Sequence, residues 1–175
     1  MKKNRYARVA SAVTAIMLLG ACSDDDPSTA TTEPAGPTTL AHGEDIELVG
    51  GIESGLGNQN LDIDAVEENG EVTGEFRITD QSGTQPPNVF TVECARTDPD
   101  DGIVILGGSA TDEGLDWNEG YVMALTIKEG DPDSVSIGGN EAGEKSCIEL
   151  LESIPDEYPE SAFVDVEDGS DIETG

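Results

Sequence analysis

Gly70-Glu71-Val72-Thr73-Gly74-Glu75-Phe76-Arg77-Ile78-Thr79 is the stretch whose reading decides the fold class. Val72, Phe76 and Ile78 fall on one face, and Glu71, Thr73, Glu75 and Arg77 on the other. Alternation with period two and polar residues opposite is the pattern of a half-buried antiparallel strand. Immediately before it, Glu67-Glu68-Asn69-Gly70 reads as a hairpin turn, because Asn-Gly tolerates the positive backbone angles that tight hairpins need. Working outward, comparable runs span Ile46 to Ile52, Leu61 to Val66, Val89 to Ala95, Ile103 to Thr111, Tyr121 to Lys128 and Ser134 to Ile137, separated by Gly, Asn, Asp and Pro. Short strands at this spacing predict an all-β fold, a small antiparallel sandwich or barrel of about seven to eight strands. Phe163-Val164-Asp165-Val166 is expected to add a short last strand.

One segment has helical period instead. In Cys147-Ile148-Glu149-Leu150-Leu151-Glu152-Ser153-Ile154 the apolar residues recur three and four apart, and Pro155 stops the run. From Glu152 to Gly175 there are nine carboxylates and no Lys or Arg, so residues 167–175 are expected to form an acidic, frayed tail. The folded domain is therefore placed at 44–166. Gly107-Gly108 and Gly138-Gly139 lack the following Lys-Ser/Thr and helix of a phosphate loop, and read as bulges or close backbone approaches.

The N-terminus carries an address. Met1 to Arg8 is basic, Val9 to Leu19 is apolar, and Leu19-Gly20-Ala21-Cys22 follows. The apolar run is about half of the roughly 20 residues a permanent spanning helix needs, so residues 1–21 read as a cleaved signal peptide. Leu19-Gly20-Ala21-Cys22 resembles the lipobox of bacterial lipoproteins. That resemblance implies lipid attachment at Cys22, cleavage before it and, with two or more acyl chains, stable tethering to the extracytoplasmic face of the cell membrane. Without an Arg-Arg pair the general secretory route is expected. Residues 22–43 lack apolar periodicity and are rich in Ser, Thr, Pro, Ala and Gly after Asp24-Asp25-Asp26. They predict a disordered stalk, with His42 solvated at its end.

Of three cysteines, assigning Cys22 to lipid leaves Cys94 and Cys147. An even pair in an exported chain is expected to close as a disulfide, here pinning the helix to the sheet. A redox or metal pair is disfavoured, because neither lies in a Cys-x-x-Cys and no His is near in sequence. With three Phe, three Tyr and one Trp the core is thin, and a bridge over this loop is worth on the order of 4 kcal/mol in the chain-entropy model.

Charge sets the remaining bounds. The 175 residues carry 8 Lys+Arg against 38 Asp+Glu, a net −30. Removing residues 1–21 leaves Arg77, Arg96, Lys128 and Lys145 against all 38 carboxylates, a net −34 over 154 residues. Nucleic acid is excluded as a partner, since phosphate binding depends on clustered Lys and Arg, and anionic lipid surfaces repel the same sign. Acids spread over every segment predict a surface built for high salt, where a Debye length of about 3 Å removes the self-repulsion. The competing reading is an acidic surface for cations or basic partners.

Three acidic turns are weak metal candidates: Asp98, Asp100 and Asp101; Asp112 and Asp116; and the shorter Asp131-Pro132-Asp133. None has the spacing of a calcium loop, and Asp-Pro and Asp-Gly are ordinary turn chemistry. Trp117, the single Trp, is a candidate for stacking on a ligand or for plugging the core. No cofactor and no catalytic set is read.

The run Phe90-Thr91-Val92-Glu93-Cys94, with Ile103-Val104-Ile105-Leu106-Gly107-Gly108, Gly120-Tyr121-Val122-Met123-Ala124, Asp131-Pro132-Asp133-Ser134-Val135 and the final Cys147, is similar to small uncharacterised secreted and lipoprotein domains of actinobacteria. The resemblance covers roughly residues 46–150. It implies an all-β fold with one disulfide, and it transfers no catalytic residue. The expected function is a membrane-tethered, non-enzymatic domain that binds an extracellular ligand or protein partner. The alternatives are a hydrolase using two carboxylates roughly 5 to 9 Å apart and a calcium-stabilised adhesion module.

Overall fold

The computed structural model describes residues 35–50, 55–111, 119–140, 144–155, 159–167 and 169–175. Eight strands follow one another: β1 (Thr38–Val49), β2 (Gln59–Glu68), β3 (Glu71–Asp80), β4 (Asn88–Asp98), β5 (Ile103–Ala110), β6 (Val122–Lys128), β7 (Ser134–Asn140) and β8 (Val164–Val166). Between β7 and β8 lie one helix, α1 (Cys147–Ser153), and a single 3-10 turn at Glu160–Ala162. Each strand pairs antiparallel with the next, and β8 pairs with β1 to close a barrel. Of the two architectures the sequence left open, the chain adopts the barrel, because Leu48 pairs with Val166 on one side of β8 and Val135 with Val164 on the other.

The alternation of β3 is realised as read. Phe76 and Ile78 are buried, Glu75 and Arg77 are half-exposed, and Asn69 and Gly70 turn the preceding hairpin with φ of 56° and 82°. Two positive φ values in a row are what a two-residue hairpin turn of right-handed twist requires. Across the ladder, Phe76 pairs with Ile63 on β2 and Phe90 on β4, and the two rings stack with centroids 4.8 Å apart. Around them Leu61, Ile78, Leu106, Met123, Leu125 and Ile127 fill the interior.

β5 and β6 depart from half-burial: nearly every residue of both is buried. The inner set joins the barrel core, while Ile105, Val122 and Ala124 pack outward against Leu150, Leu151 and Ile154 of the helical segment. The helix starts at a capping box, in which the Glu149 N–H donates to Ser146 Oγ and the Ser146 N–H to Glu149 Oε2. It ends at Ser153 with Ile154 as its C-cap, one residue short of the stop expected at Pro155.

The disulfide joins Cys94 to Cys147, with Cα atoms 6.0 Å apart. In the plain alternation of β4, Phe90, Val92 and Cys94 share one face. A β-bulge between Val92 and Cys94 switches it, so that Val92 faces the interior and Cys94 faces the helix. Gly107, paired with Cys94, lies directly beneath the bridge: a Cβ there would stand 2.5 Å from Cys147 Sγ and 2.6 Å from Cys94 Sγ. The close approach read from Gly107-Gly108 is thus a real one.

Two boundaries, and with them the place of His42, are corrected. The expected stalk of 22–43 overruns its end, since β1 begins at Thr38 and Leu40 and Ala41 are buried, within a compact unit that runs from Pro34 to Gly175. Two irregularities, between Thr39 and Ala41 and between Gly43 and Ile46, break the alternation that would have marked the strand. Accordingly His42 is not at the tip of a tether; it sits in β1, opposite Asp64. Nor is 167–175 a frayed tail. The Glu167 N–H donates to Glu47 O, His42 and Glu173 exchange two backbone hydrogen bonds, the Ile172 N–H reaches Asp133 Oδ2, and Ile172 is buried. Glu167, Asp171 and Glu173 are exposed while the backbone continues the β8 seam along β1.

Candidate functional site

The barrel is filled by its own side chains, so its chemistry is presented on the outside. Four cationic residues are available to the folded part, and each one is engaged. Arg77 lies between Asp62, at 3.2 Å, and Glu75 on the outer face of β2 and β3. Arg96 donates to Leu151 O and Ile154 O, so a β4 side chain hydrogen-bonds the carbonyls at the end of α1. Lys128 Nζ stands 5.8 Å from the centre of the Phe163 ring, and Lys145 Nζ donates to Ser153 Oγ at 3.0 Å.

Two hollows follow from the strand register. His42, Asp64 and Glu75 are consecutive partners across β1, β2 and β3, and with Glu44, Asp62 and Arg77 they line an outer hollow of about 230 Å³. The second, of about 290 Å³, lies at the barrel end where β1 begins. Leu40, Ile103 and Val104 contribute apolar walls, and Glu67, Asp98 and Glu129 carboxylates. Both were missed in the sequence, because each needs the register of strands far apart in the chain.

Of the residues singled out in the sequence, the structure joins Cys94 with Cys147. Asp98, Asp100 and Asp101 share the β4–β5 turn, where the Asp98 carboxylate accepts the Asp100 N–H at 3.2 Å, an ordinary Asx turn. Among the described residues no group of three or more His, Cys, Asp or Glu is placed to hold a metal ion. Cys22, Asp112, Asp116 and Trp117 lie outside the described residues.

A third feature is polar without charge. Gln59 Oε1, Asn60 Oδ1 and Asn88 Oδ1 are buried with no hydrogen-bond partner. Gln59, paired with Asp80, and Asn88, paired with Ile78, share the inward face with Leu61, whereas Asn60, paired with Thr79, lies on the outer face with Asp62. An unsatisfied buried acceptor costs on the order of 1–3 kcal/mol. Asp80 is turned into its own loop: hydrogen bonds from the Ser82 side chain and backbone hold its pKa below the usual carboxylate range. Glu149 is likewise lowered, by the Ser146 backbone and then its side chain.

The fold and these surfaces define an up-and-down eight-stranded antiparallel barrel with a disulfide-pinned external helix. Comparison with protein-family models, with curated proteins and with solved structures finds no match. No helix among the described residues is long and apolar enough to cross a membrane.

Proposed function

We propose that this protein is a lipid-anchored extracytoplasmic binding domain, without enzymatic chemistry, whose surface is adapted to high salt. The observation that carries the reading is the basic and apolar leader ending in Leu19-Gly20-Ala21-Cys22. Cleavage there leaves Cys22 to take up lipid, and some 16 residues then connect it to Thr38, a span of at most about 55 Å when extended. The barrel supports the reading in two ways. Its interior is occupied by side chains, so a partner is met on the outer surface. Its disulfide suits an exported, oxidising setting.

The test is anchoring itself. The full chain is expressed in a bacterial host fed an alkyne palmitate analogue, and the product is partitioned into detergent. The wild type is expected to carry label and enter the detergent phase, and Cys22→Ala to lose both. Label retained by Cys22→Ala, or absent from the wild type, overturns the anchor.

A further inference from the structure

We infer that the Cys94–Cys147 bridge is a redox-operated latch on α1. Oxidised, it holds the helix down as a cover on the outer faces of β4, β5 and β6; reduced, it lets the helix lift and uncover an apolar strip while the barrel stays closed. The latch is independent of the anchor at Cys22 and of any ligand. The apolar residues fall into two separate clusters: Phe76, Leu106 and Leu125 belong to the barrel interior, whereas Ile105, Val122 and Ala124 pack outward with Leu150, Leu151 and Ile154. Both bridged cysteines belong to the outer cluster. The chain leaves the barrel after Asn140 and returns to it at Val164, where β8 pairs with β7 and β1. The seam thus closes through strand hydrogen bonds that do not pass through the helix.

Few contacts keep the helix on the sheet. α1 has 7 residues, where a helix free in water needs about 12 to 15 to be even marginally stable. Its capping box and the Lys145–Ser153 hydrogen bond are internal to the helical segment and travel with it. From the sheet, Arg96 reaches Leu151 O and Ile154 O at 3.3 and 3.4 Å, and Leu150, Leu151 and Ile154 are buried. Against these contacts stands the entropy of ordering the helical segment, part of which the bridge removes by fixing Cys147 beside β4. An element with so few buried apolar contacts opens locally before the whole fold does. Opening the latch is thiol–disulfide exchange: a dithiol donor attacks one sulfur as its thiolate, forms a mixed disulfide and closes on itself to release the second. The bridge gains two electrons and two protons and becomes two thiols, and the donor leaves as a cyclic disulfide. Closing is the same exchange with a low-molecular-weight disulfide as oxidant, which takes up the two electrons and two protons and leaves as two thiols.

The experiment is hydrogen exchange read by mass spectrometry on the detergent-solubilised full chain, oxidised and after reduction with dithiothreitol. In the oxidised protein the amides of Leu150 and Ile154, which donate to Ser146 O and Leu151 O, are expected to be protected, as are those of β2 and β3. After reduction the helix amides are expected to exchange within about three-fold of an unstructured peptide, while β2 and β3 stay protected by at least about 100-fold. Oxidised glutathione is expected to restore the helix protection. Helix amides that stay protected when reduced overturn the latch, since the bridge then only restricts the unfolded chain. Loss of protection in helix and barrel together overturns it too, because the bridge then holds the whole fold, and so does protection that glutathione fails to restore. Gly107→Ala reads the same motion independently, because its Cβ would stand 2.6 Å from Leu151 Cδ1 with the helix docked. The variant is expected to melt below the wild type when both are oxidised and together with it when both are reduced. A gap that persists after reduction leaves the helix on the sheet in both states and overturns the latch.

Discussion

Gly107 has no left-handed backbone angle, so its requirement for glycine is one of space. Both disulfide sulfurs and Leu151 Cδ1 lie within 2.6 Å of where a Cβ would stand, and a bridge tied at both ends has little room to yield. Gly107→Ala is therefore expected to destabilise the oxidised protein by about 1–3 kcal/mol, the usual cost of overpacking a filled site. Gly36→Ala, where nothing lies within 4 Å, is expected to leave it unchanged. Thermal melting of the two variants against the wild type checks both, and an equal effect at the two positions would remove the steric argument. The residue was legible in part. Gly107-Gly108 in an apolar run announces a close approach, yet nothing local says that the approaching group is a disulfide, because Cys147 is 40 positions away.

The helix joins several such contacts into one element. Its cap comes from Ser146 and Glu149, its far end is held by Arg96 from β4, and its buried face covers β5 and β6. Ser146→Ala is expected to cost about 1 kcal/mol, a typical loss for an N-cap. The Glu149 carboxylate has a lowered pKa in the folded state, so its stabilisation is present above the unfolded value and fades as pH falls through the folded one. The melting temperature of the wild type is thus expected to exceed that of Glu149→Gln at neutral pH and to converge with it in acid, as the pH falls through the lowered folded-state value. A gap that persists in acid would mean that carboxylate charge contributes nothing to the cap. Replacing Cys94 and Cys147 together by Ser is expected to cost on the order of 4 kcal/mol, read from denaturant unfolding of oxidised wild type against the variant. At this scale the sequence reading did well where period and punctuation coincide: α1 ends before Pro155 and β3 follows Asn69-Gly70. It failed at both edges of the barrel. β1 is obscured by two irregularities among small residues, and the last nine residues read as solvated because their acids hide a backbone that pairs with Thr39, His42 and Glu47.

At the scale of the whole molecule, all-β architecture and one disulfide were legible because alternation and cysteine parity are local properties of the chain. Barrel closure was not, since it depends on registers between distant strands. Charge is legible without any structure, and the structure says why it matters. The four bases beyond residue 21 are engaged at specific positions, two of them tying β4 or Lys145 to the helical segment, so the carboxylates facing outward are left to repel one another. In dilute salt that repulsion favours the expanded chain, and screening removes it as the Debye length falls from about 30 Å at 0.01 M to about 3 Å at 1 M. The melting temperature is therefore expected to climb steadily with sodium chloride through the molar range, and potassium chloride of equal ionic strength to give the same curve. With millimolar calcium in dilute salt the gain is expected to match that from magnesium, because screening by a diffuse ion atmosphere does not distinguish the two. A sharp rise with calcium alone would instead reveal a discrete site and send attention to the turns at Asp98 to Asp101 and Asp112 to Asp116. A curve flat in salt would show that the acids carry no net repulsion and that the high-salt reading of the surface fails.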